Sequence, residues 1–559
     1  MNTYPPKASQ MTSSSHDRHD NLKAPEIHEH RKPTKRISLS RVALLLIGTA
    51  MIGQVLGFLR TKLINANFDN PHTPLAERAG VYFAAFNIPD LFFYTIAAGA
   101  LGVAFMPYLA DHLHRGDRRG MWELSASLMN LLALIMLVVG IVIFAFAHPL
   151  IHLVAPGLLP EQKQNAVTLM RFLALNPFLF TISGIMTSAQ QTIGRFFFYA
   201  VAPLFYNLSI IASIYIFKGT SVGIVGLGIG ALIGGILQLI IVSIGLVGTD
   251  FHWHPKIMWR NKDFRSMLRQ LPPRSLDQGI DQVQSVVDTR FASTIGGATA
   301  ISNYNNAFIL HTAPILLLGT AISTAAFPRL NERLSQGRPD LFRKDFLHTL
   351  RVIIWLTTPV VVVAFFARGY LARLIFSQNA PDIALVFGFL VVAIFFRTIY
   401  SLISRWFYSQ KDTVTPLLVS LFTILLNVIL AYTLSRPSSY GLPGLAIAQS
   451  VVATVEVTIL FTIMVIRDHR LIDITFWGAM AKIVSVTGFS VTAAFATVTL
   501  YPLGINDRGF VTLGTKLALI ALITFSVHIG ISAIFDLEEV RPIFRRVRKI
   551  VYKSIGQPY

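Results

Sequence analysis

The sequence predicts an all-α polytopic membrane protein of about fourteen transmembrane helices, arranged as two pseudo-symmetric six-helix lobes plus two C-terminal helices. Three observations carry this reading. Of 559 residues, 53% are hydrophobic and 14% charged, whereas ordinary soluble domains carry about a quarter charged residues. Apolar runs recur from residue 41 almost to the C-terminus, each near the roughly 20 residues that a helix needs to cross the ~30 Å hydrocarbon core. Two short sequence echoes, in the same order, divide the chain into halves.

Residues 1–40 are rich in Ser, His, Pro, Lys and Asp, too polar to bury a core, and read as a disordered cytoplasmic tail. They hold no apolar segment of signal-peptide type. His16, His19, His28 and His30 read as part of a solvated tail and not as a metal site. The expected spans are 41–66, 80–109, 122–148, 165–192, 197–217 and 221–247 in an N-lobe (41–250). A C-lobe (265–466) holds 267–294, 299–328, 347–367, 383–404, 414–435 and 441–466. Helices 13 and 14 follow at 475–501 and 511–536 (475–536), then a basic cytoplasmic tail (537–559).

Cytoplasmic loops hold the excess of Lys and Arg. Alternate loops here carry 31 such residues on the side of the N-terminal tail and 7 on the other. Both termini are therefore expected in the cytoplasm, which requires an even number of spans. The formal charge of +20 follows from these loops and needs no nucleic-acid partner. Cys is absent, so disulfides, thiolate nucleophiles and Cys-ligated metals are excluded. Inter-span loops are too short for a catalytic domain, and no nucleophile-base motif or metal-ligand spacing appears in the membrane region, so an enzyme is not expected.

The first echo pairs Gln54, Val55 and Thr61 of the first span with Gln282, Val283 and Thr289 of the seventh. The second pairs Pro107, Leu109, Leu113 and Gly116 with Pro328, Leu330, Leu334 and Gly337, at nearly the same separation along the chain. Each half holds an even number of helices, so the repeats are parallel, and transporters so built place substrate between the halves.

Ionisable groups inside a span are costly and read as functional by default. In the seventh span Asp277, Asp281, Gln284 and Asp288 share one helical face, with Arg274 and Arg290 near its ends; the stripe reads as lining a hydrated cavity, with helix packing as the alternative. Arg60 and Lys62 lie late in the first span, Arg171 in the fourth and Arg397 in the tenth. An arginine in a cavity grips phosphate bidentately, whereas Lys62 snorkels to the interface. Glu456 and Lys482 are expected to pair. Pro89, in Asn87-Ile88-Pro89-Asp90, kinks the second span. Gly226, Gly230 and Gly234 mark close helix packing.

These residues also carry a family resemblance. Val55-Leu56-Gly57-Phe58-Leu59-Arg60 resembles the first-helix signature of the MurJ (MviN) proteins, lipid II flippases of the MOP superfamily. Ala155-Pro156-Gly157, Gln190-Gln191 with Gly194-Arg195-Phe196, Ala202-Pro203 with Asn207, and Val287-Asp288 with Phe291-Ala292-Ser293 resemble later segments in the same order. The most specific match is Phe407-Tyr408-Ser409-Gln410-Lys411-Asp412-Thr413-Val414-Thr415-Pro416. The resemblance implies a flippase of the bacterial cytoplasmic membrane that moves lipid II, or a related undecaprenyl-pyrophosphate-linked glycan, to the outer leaflet by alternating access. It also implies that helices 13 and 14 border a groove for the lipid tail.

Carried over by position, Arg60 matches a cavity arginine, and Asp288 and Asn427 match a region where some members bind Na⁺. Na⁺ or proton coupling is the corresponding expectation, with no other cofactor. Asp277, Asp281, Arg274, Arg290 and Arg171 complete the candidate substrate site. The chain departs from the family pattern at Gly53-Gln54, Phe93-Tyr94 and Ile309, where arginines are usual. Either Arg171, Arg274 or Arg290 compensates, or the substrate differs, an exporter of another polyprenyl-linked glycan or of amphipathic drugs being the alternative.

Overall fold

The computed structural model describes residues 39–98, 105–376 and 378–542, without the side chains of 39–43, 98, 270 and 272–278. Most of the expected N-terminal tail and residues 543–559 of the C-terminal one lie outside the described residues, as do the side chains of Arg274 and Asp277. Regular structure among the described residues is helical throughout. In a hydrocarbon environment this is the arrangement in which each segment satisfies its own backbone.

The first half runs α1 (Leu39–Phe68), α2 (Ala79–Phe92), a π-turn (Phe93–Ala98), α3 (Met106–His114), α4 (Arg118–Ala145), α5 (Ala147–Val154), α6 (Pro160–Leu173), α7 (Asn176–Thr192), α8 (Phe197–Phe217) and α9 (Gly226–Ile244). The second half runs α10 (Lys262–Pro314), a π-turn (Ile315–Thr320), α11 (Ala321–Ser335), α12 (Pro339–Phe366), α13 (Arg368–Ile375), α14 (Ala380–Ser409), α15 (Val414–Leu434) and α16 (Leu442–Arg467). Helices α17 (Ile474–Leu500) and α18 (Phe510–Ile534) follow, with a 3-10 turn (Glu538–Val540) after them.

Twelve helical segments among the described residues are long and apolar enough to cross a membrane, against an expectation of about fourteen. The difference arises at two places. The expected second span is divided among α2, its π-turn and α3, and residues 99–104 between them are outside the description. The expected seventh and eighth spans form one helical run, Gly279–Ser335. That run breaks at Gly296 and Gly297, and Gly297 has φ 59°, a left-handed conformation that glycine adopts without a Cβ penalty.

The sequence duplication is matched by the lengths and order of the helices. Helices α4 and α12 both have 28 residues and α5 and α13 both have 8. Both pairs keep the separation along the chain that the second echo shows. A π-turn interrupts the preceding span in each half. The echoed Gly116 and Gly337 have φ 75° and 67° and follow the ends of α3 and α11. The next amides reach back five residues, Asp117 to His112 and Arg338 to Arg333, the Schellman closure that requires a left-handed residue at this point.

The loops richest in Lys and Arg define a basic side of the bundle and the others a far side. On the far side one hydrophobic core unites both halves, from Ile64, Ala79 and Ala84 through Ile151 and Leu169 to Ala298, Ile301, Phe376, Phe387 and Leu445. On the basic side two separate cores form, the first of them including the start of α10. Leu109, Met121, Leu128, Ile185 and Phe264 form one core; Leu330, Phe346, Leu402, Trp406 and Leu460 form another. The close packing expected at Gly226, Gly230 and Gly234 appears against α8, with Gly230 against Ser213 and Gly234 against Tyr206.

Candidate functional site between the two halves

The far-side closure is polar at its rim and steric beneath it. The Asn306 amide donates to Asn65 Oδ1 at 2.8 Å, and the Asn65 amide donates back to Asn306 Oδ1 at 3.0 Å. The Ser302 hydroxyl sits between Asn65 Oδ1 and the Asp69 carboxylate, whose other oxygen accepts from the Ala79 amide at 2.9 Å. Burial pushes the Asp69 carboxyl above the usual carboxylate range, against the pull of Ser302, the Ala79 amide and Arg78. Below this network the backbones touch. A Cβ on Gly80 would stand 1.8 Å from the Ala298 carbonyl oxygen, and one on Gly157 1.9 Å from that of Ser293. Lys62 does more than snorkel, since its ammonium donates to the Leu374 carbonyl at the end of α13, 3.2 Å away.

Arg60 lies two residues before Lys62 on α1 and is half-buried. Its field acts on Asp90 and Tyr82 of α2, Tyr94 of the first π-turn and Tyr206 of α8. No ion pair joins Arg60 to Asp90 among the described residues, and Arg60 Nε is buried with no hydrogen-bond partner. Phe93, at a position where the resemblance expects arginine, stacks edge-on against Phe180, which stacks against Tyr206. An aromatic wall therefore stands where the resemblance places positive charge.

The second half holds the other charged group. Arg397 pairs with Glu456 at 3.0 Å, and Glu456 also accepts from the Ser420 hydroxyl at 2.8 Å. The expected Glu456–Lys482 pair does not form. Glu456 is buried within α16, whereas Lys482 is exposed and donates to the Phe535 carbonyl at the end of α18. Asp281 and Asp288 lie in the field of Arg397. Asp281 is exposed and Asp288 buried, with Asp288 accepting from the Tyr304 hydroxyl at 2.9 Å. Asp288 Oδ1 and both polar atoms of Asn427 are buried without partners. Their helices meet through Phe291 and Tyr432, 6.3 Å between ring centroids.

Two candidates lie elsewhere. Arg290 is exposed and donates to the Leu153 carbonyl, next to the last residue of α5; its i+2 offset from Asp288 turns it off the acidic face. Arg171 is exposed at the end of α6 with its guanidinium over the Phe144 ring, 5.5 Å from the centroid. The structure thus brings together Arg60 with Asp90, and Arg397 with Glu456, Asp281 and Asp288, but joins neither Arg171 nor Arg290 to them.

The model of one protein family, lipid II flippase MurJ, matches residues 77–520. The chain belongs to the MurJ family. Among curated MurJ-family relatives, a probable lipid II flippase of Rhizobium meliloti is 25% identical over 508 residues, covering 87% of this chain and 92% of the relative. One from Borreliella burgdorferi is 23% identical, covering 78% and 85%. Among solved structures, a lipid II flippase MurJ in an inward closed conformation superposes with a TM-score of 0.70 at 22% identity, over 87% of this chain and 98% of that one. An inward-facing multidrug resistance MATE transporter of the MOP superfamily gives 0.62 at 17% identity, over 76% and 98%. These superpositions establish the fold, and MurJ membership makes the chain a transporter and not an enzyme.

Proposed function

We propose that this protein carries lipid II from the cytoplasmic to the outer leaflet of the bacterial inner membrane by alternating access, with both termini in the cytoplasm. The family match across residues 77–520 carries the reading. The basic loops support the orientation by the positive-inside rule. In that orientation one core joins the halves on the outer side and two separate cores lie on the cytoplasmic side, as suits a state awaiting a cytoplasmic ligand. Arg60 is the candidate grip for the pyrophosphate, because a guanidinium matches two phosphate oxygens at once. Arg274 and Asp277 remain candidates at the start of the acidic face, with exposed Asp281 next along it.

Cation coupling belongs to the same proposal. The unpartnered buried oxygens of Asp288 and Asn427 suit a small cation, since buried polar atoms without partners are otherwise costly. Those two residues would hold Na⁺ or a proton and bias the conformational equilibrium on which turnover depends. The test is rescue of a bacterium depleted of its own lipid II flippase. The wild-type chain restores growth and Arg60→Ala, at equal membrane abundance, does not; rescue by Arg60→Ala removes Arg60 from the site, and failure of the wild-type chain removes lipid II as substrate.

A further inference from the structure

A cavity of about 1060 Å³, as large as a small-molecule site, lies on the basic side of the second half. It is lined by α11 and α12, by the segment before α17 and the first turns of that helix, and by the chain just after α18. Arg60, Asp281, Asp288 and Arg397 are not among its lining residues, so it is distinct from the site between the halves.

Seven Lys and Arg side chains line it. Arg329 pairs with Asp345, Arg343 with Asp468, Arg351 with Glu539 and Arg541 with Asp536, at 2.6–2.9 Å. The other three have no acidic partner among the described residues. Lys344 and Arg470 make no hydrogen bond or ion pair there, and Lys482 donates to the Phe535 carbonyl at 2.9 Å. Two lining acids, Asp340 and Asp473, likewise have no ion-pair partner among the described residues. Asp473 caps α17 by accepting from the Phe476 amide and the Thr475 hydroxyl through Oδ1, which leaves Oδ2 out of both bonds. Asp340 and Lys344 stand at i and i+4 on α12, a spacing at which opposite charges pair, yet they do not close, and neither do Arg470 and Asp473. Helix α12 and the segment before α17 thus each bring to one cavity a cation and a carboxylate without ion-pair partners.

Helix α17 also turns an apolar face outward beside the cavity. Thr475, Gly478, Ala479 and Lys482 line the cavity, while Ile474, Trp477 and Val484, along another face, are 83%, 56% and 70% exposed. In a helix long and apolar enough to span a membrane such a face meets acyl chains, and a Trp near the helix end sits at head-group level. We propose that the cavity holds the head group of a bilayer phospholipid that carries both a phosphate and a primary ammonium, of the phosphatidylethanolamine type. Its phosphodiester lies on Lys344 and Arg470, its ammonium donates to Asp340 and Asp473, and an acyl chain runs along Ile474, Trp477 and Val484. A head group with negative charge alone would set like charge against both carboxylates. The bound lipid would join α12 to α17 and so hold the two C-terminal helices against the second half.

The test uses the full chain, purified in detergent and stripped of lipid, then titrated separately with phosphatidylethanolamine, phosphatidylglycerol, phosphatidylcholine and glycerophosphoethanolamine, the head group without its chains. Bound lipid is counted by native mass spectrometry. Wild type holds phosphatidylethanolamine more tightly than the other three. Each cation near a lipid surface is worth roughly fivefold, so Lys344→Ala/Arg470→Ala should weaken that binding by about 30-fold, and the charge-conserving Lys344→Arg/Arg470→Lys should retain it. Asp340→Asn/Asp473→Asn should lose the preference over phosphatidylglycerol while α17 stays capped, since Asn caps as well as Asp. Equal binding of the three lipids by wild type, tighter binding of phosphatidylglycerol, or no change in the alanine variant overturns the proposal. Glycerophosphoethanolamine binding as tightly as the lipid also overturns it, in favour of a soluble phosphate ester. None of these results bears on lipid II as the cargo, which the rescue experiment tests by itself.

Discussion

Gly80→Ala tests the far-side closure most sharply. The added Cβ would lie 1.8 Å from the Ala298 carbonyl oxygen, against 3.4 Å for an ordinary contact, so α2 and the segment after the Gly296–Gly297 break must part by well over an ångström. Both partners are backbone, and no rotamer change relieves the clash. Overpacking of this kind costs about 1–3 kcal/mol. Because the contact exists only when the far side is closed, the cost falls on that state and shifts the closed-to-open ratio by roughly 5- to 150-fold. The assay places a single Cys at Ser302, which is fully buried in the closure; the chain has no Cys of its own. A membrane-impermeant maleimide applied from the far side should label Ser302→Cys/Gly80→Ala faster than Ser302→Cys by a factor in that range. Equal labelling rates, with both proteins folded and equally stable, refute the reasoning.

Three further perturbations follow from the geometry. Lys62→Ala removes the bond to the Leu374 carbonyl and should weaken far-side closure by about 1 kcal/mol, seen as a severalfold rise in the same labelling rate with substrate affinity unchanged. Arg397→Met strands Glu456, 2% exposed, and should lower stability by about 3–5 kcal/mol, whereas Arg397→Met/Glu456→Met recovers most of it; thermal unfolding in detergent distinguishes the two. Asp412 caps α15 through Val414 and Thr415 and pairs with Arg467 at 2.5 Å. Partial burial pushes its carboxyl up, but the bonds from Thr415 and Arg467 outweigh that and hold it at about 2, below the usual 3.8. A depressed carboxyl stabilises the fold above its unfolded value and loses that contribution as pH falls. Wild type should therefore lose stability relative to Asp412→Asn between about pH 4 and pH 2, and parallel pH profiles would contradict this.

Much of the architecture is legible in the sequence because membrane burial writes itself into composition. Long apolar runs locate spans, and the Pro107/Pro328 and Gly116/Gly337 echoes mark the same helix end in each half. The count differs at the second span, where residues 99–104 lie outside the described residues, and at Gly296–Gly297, whose break falls between the expected seventh and eighth spans without changing local hydropathy. The site is harder to read. Arg60 is visible as a cation in a span, but Asp90 reads only as the neighbour of a kinking proline, because Arg60, whose field acts on it, lies on another helix. Glu456 is matched to Lys482 for the same reason: sequence gives depth in the membrane but not the rotation of one helix against the next. Asn65, Ser302 and Asn306 carry no charge and no motif, so their network emerges only when α1 and α10 are brought together. Gly80 and Gly157 give no sign of tight packing, since a lone glycine does not disclose the backbone it touches.

The central claim is that this chain moves lipid II between leaflets, and the direct measurement is the leaflet distribution of lipid II in its own host. The protein is depleted, and lipid II is then labelled in intact cells by a membrane-impermeant reagent that reacts with it only at the outer surface. The account predicts that total lipid II rises while the externally labelled fraction falls, and that re-expression of wild type, but not of Arg60→Ala, restores labelling. An externally labelled fraction that stays unchanged on depletion, with no other lipid II flippase present, would contradict it.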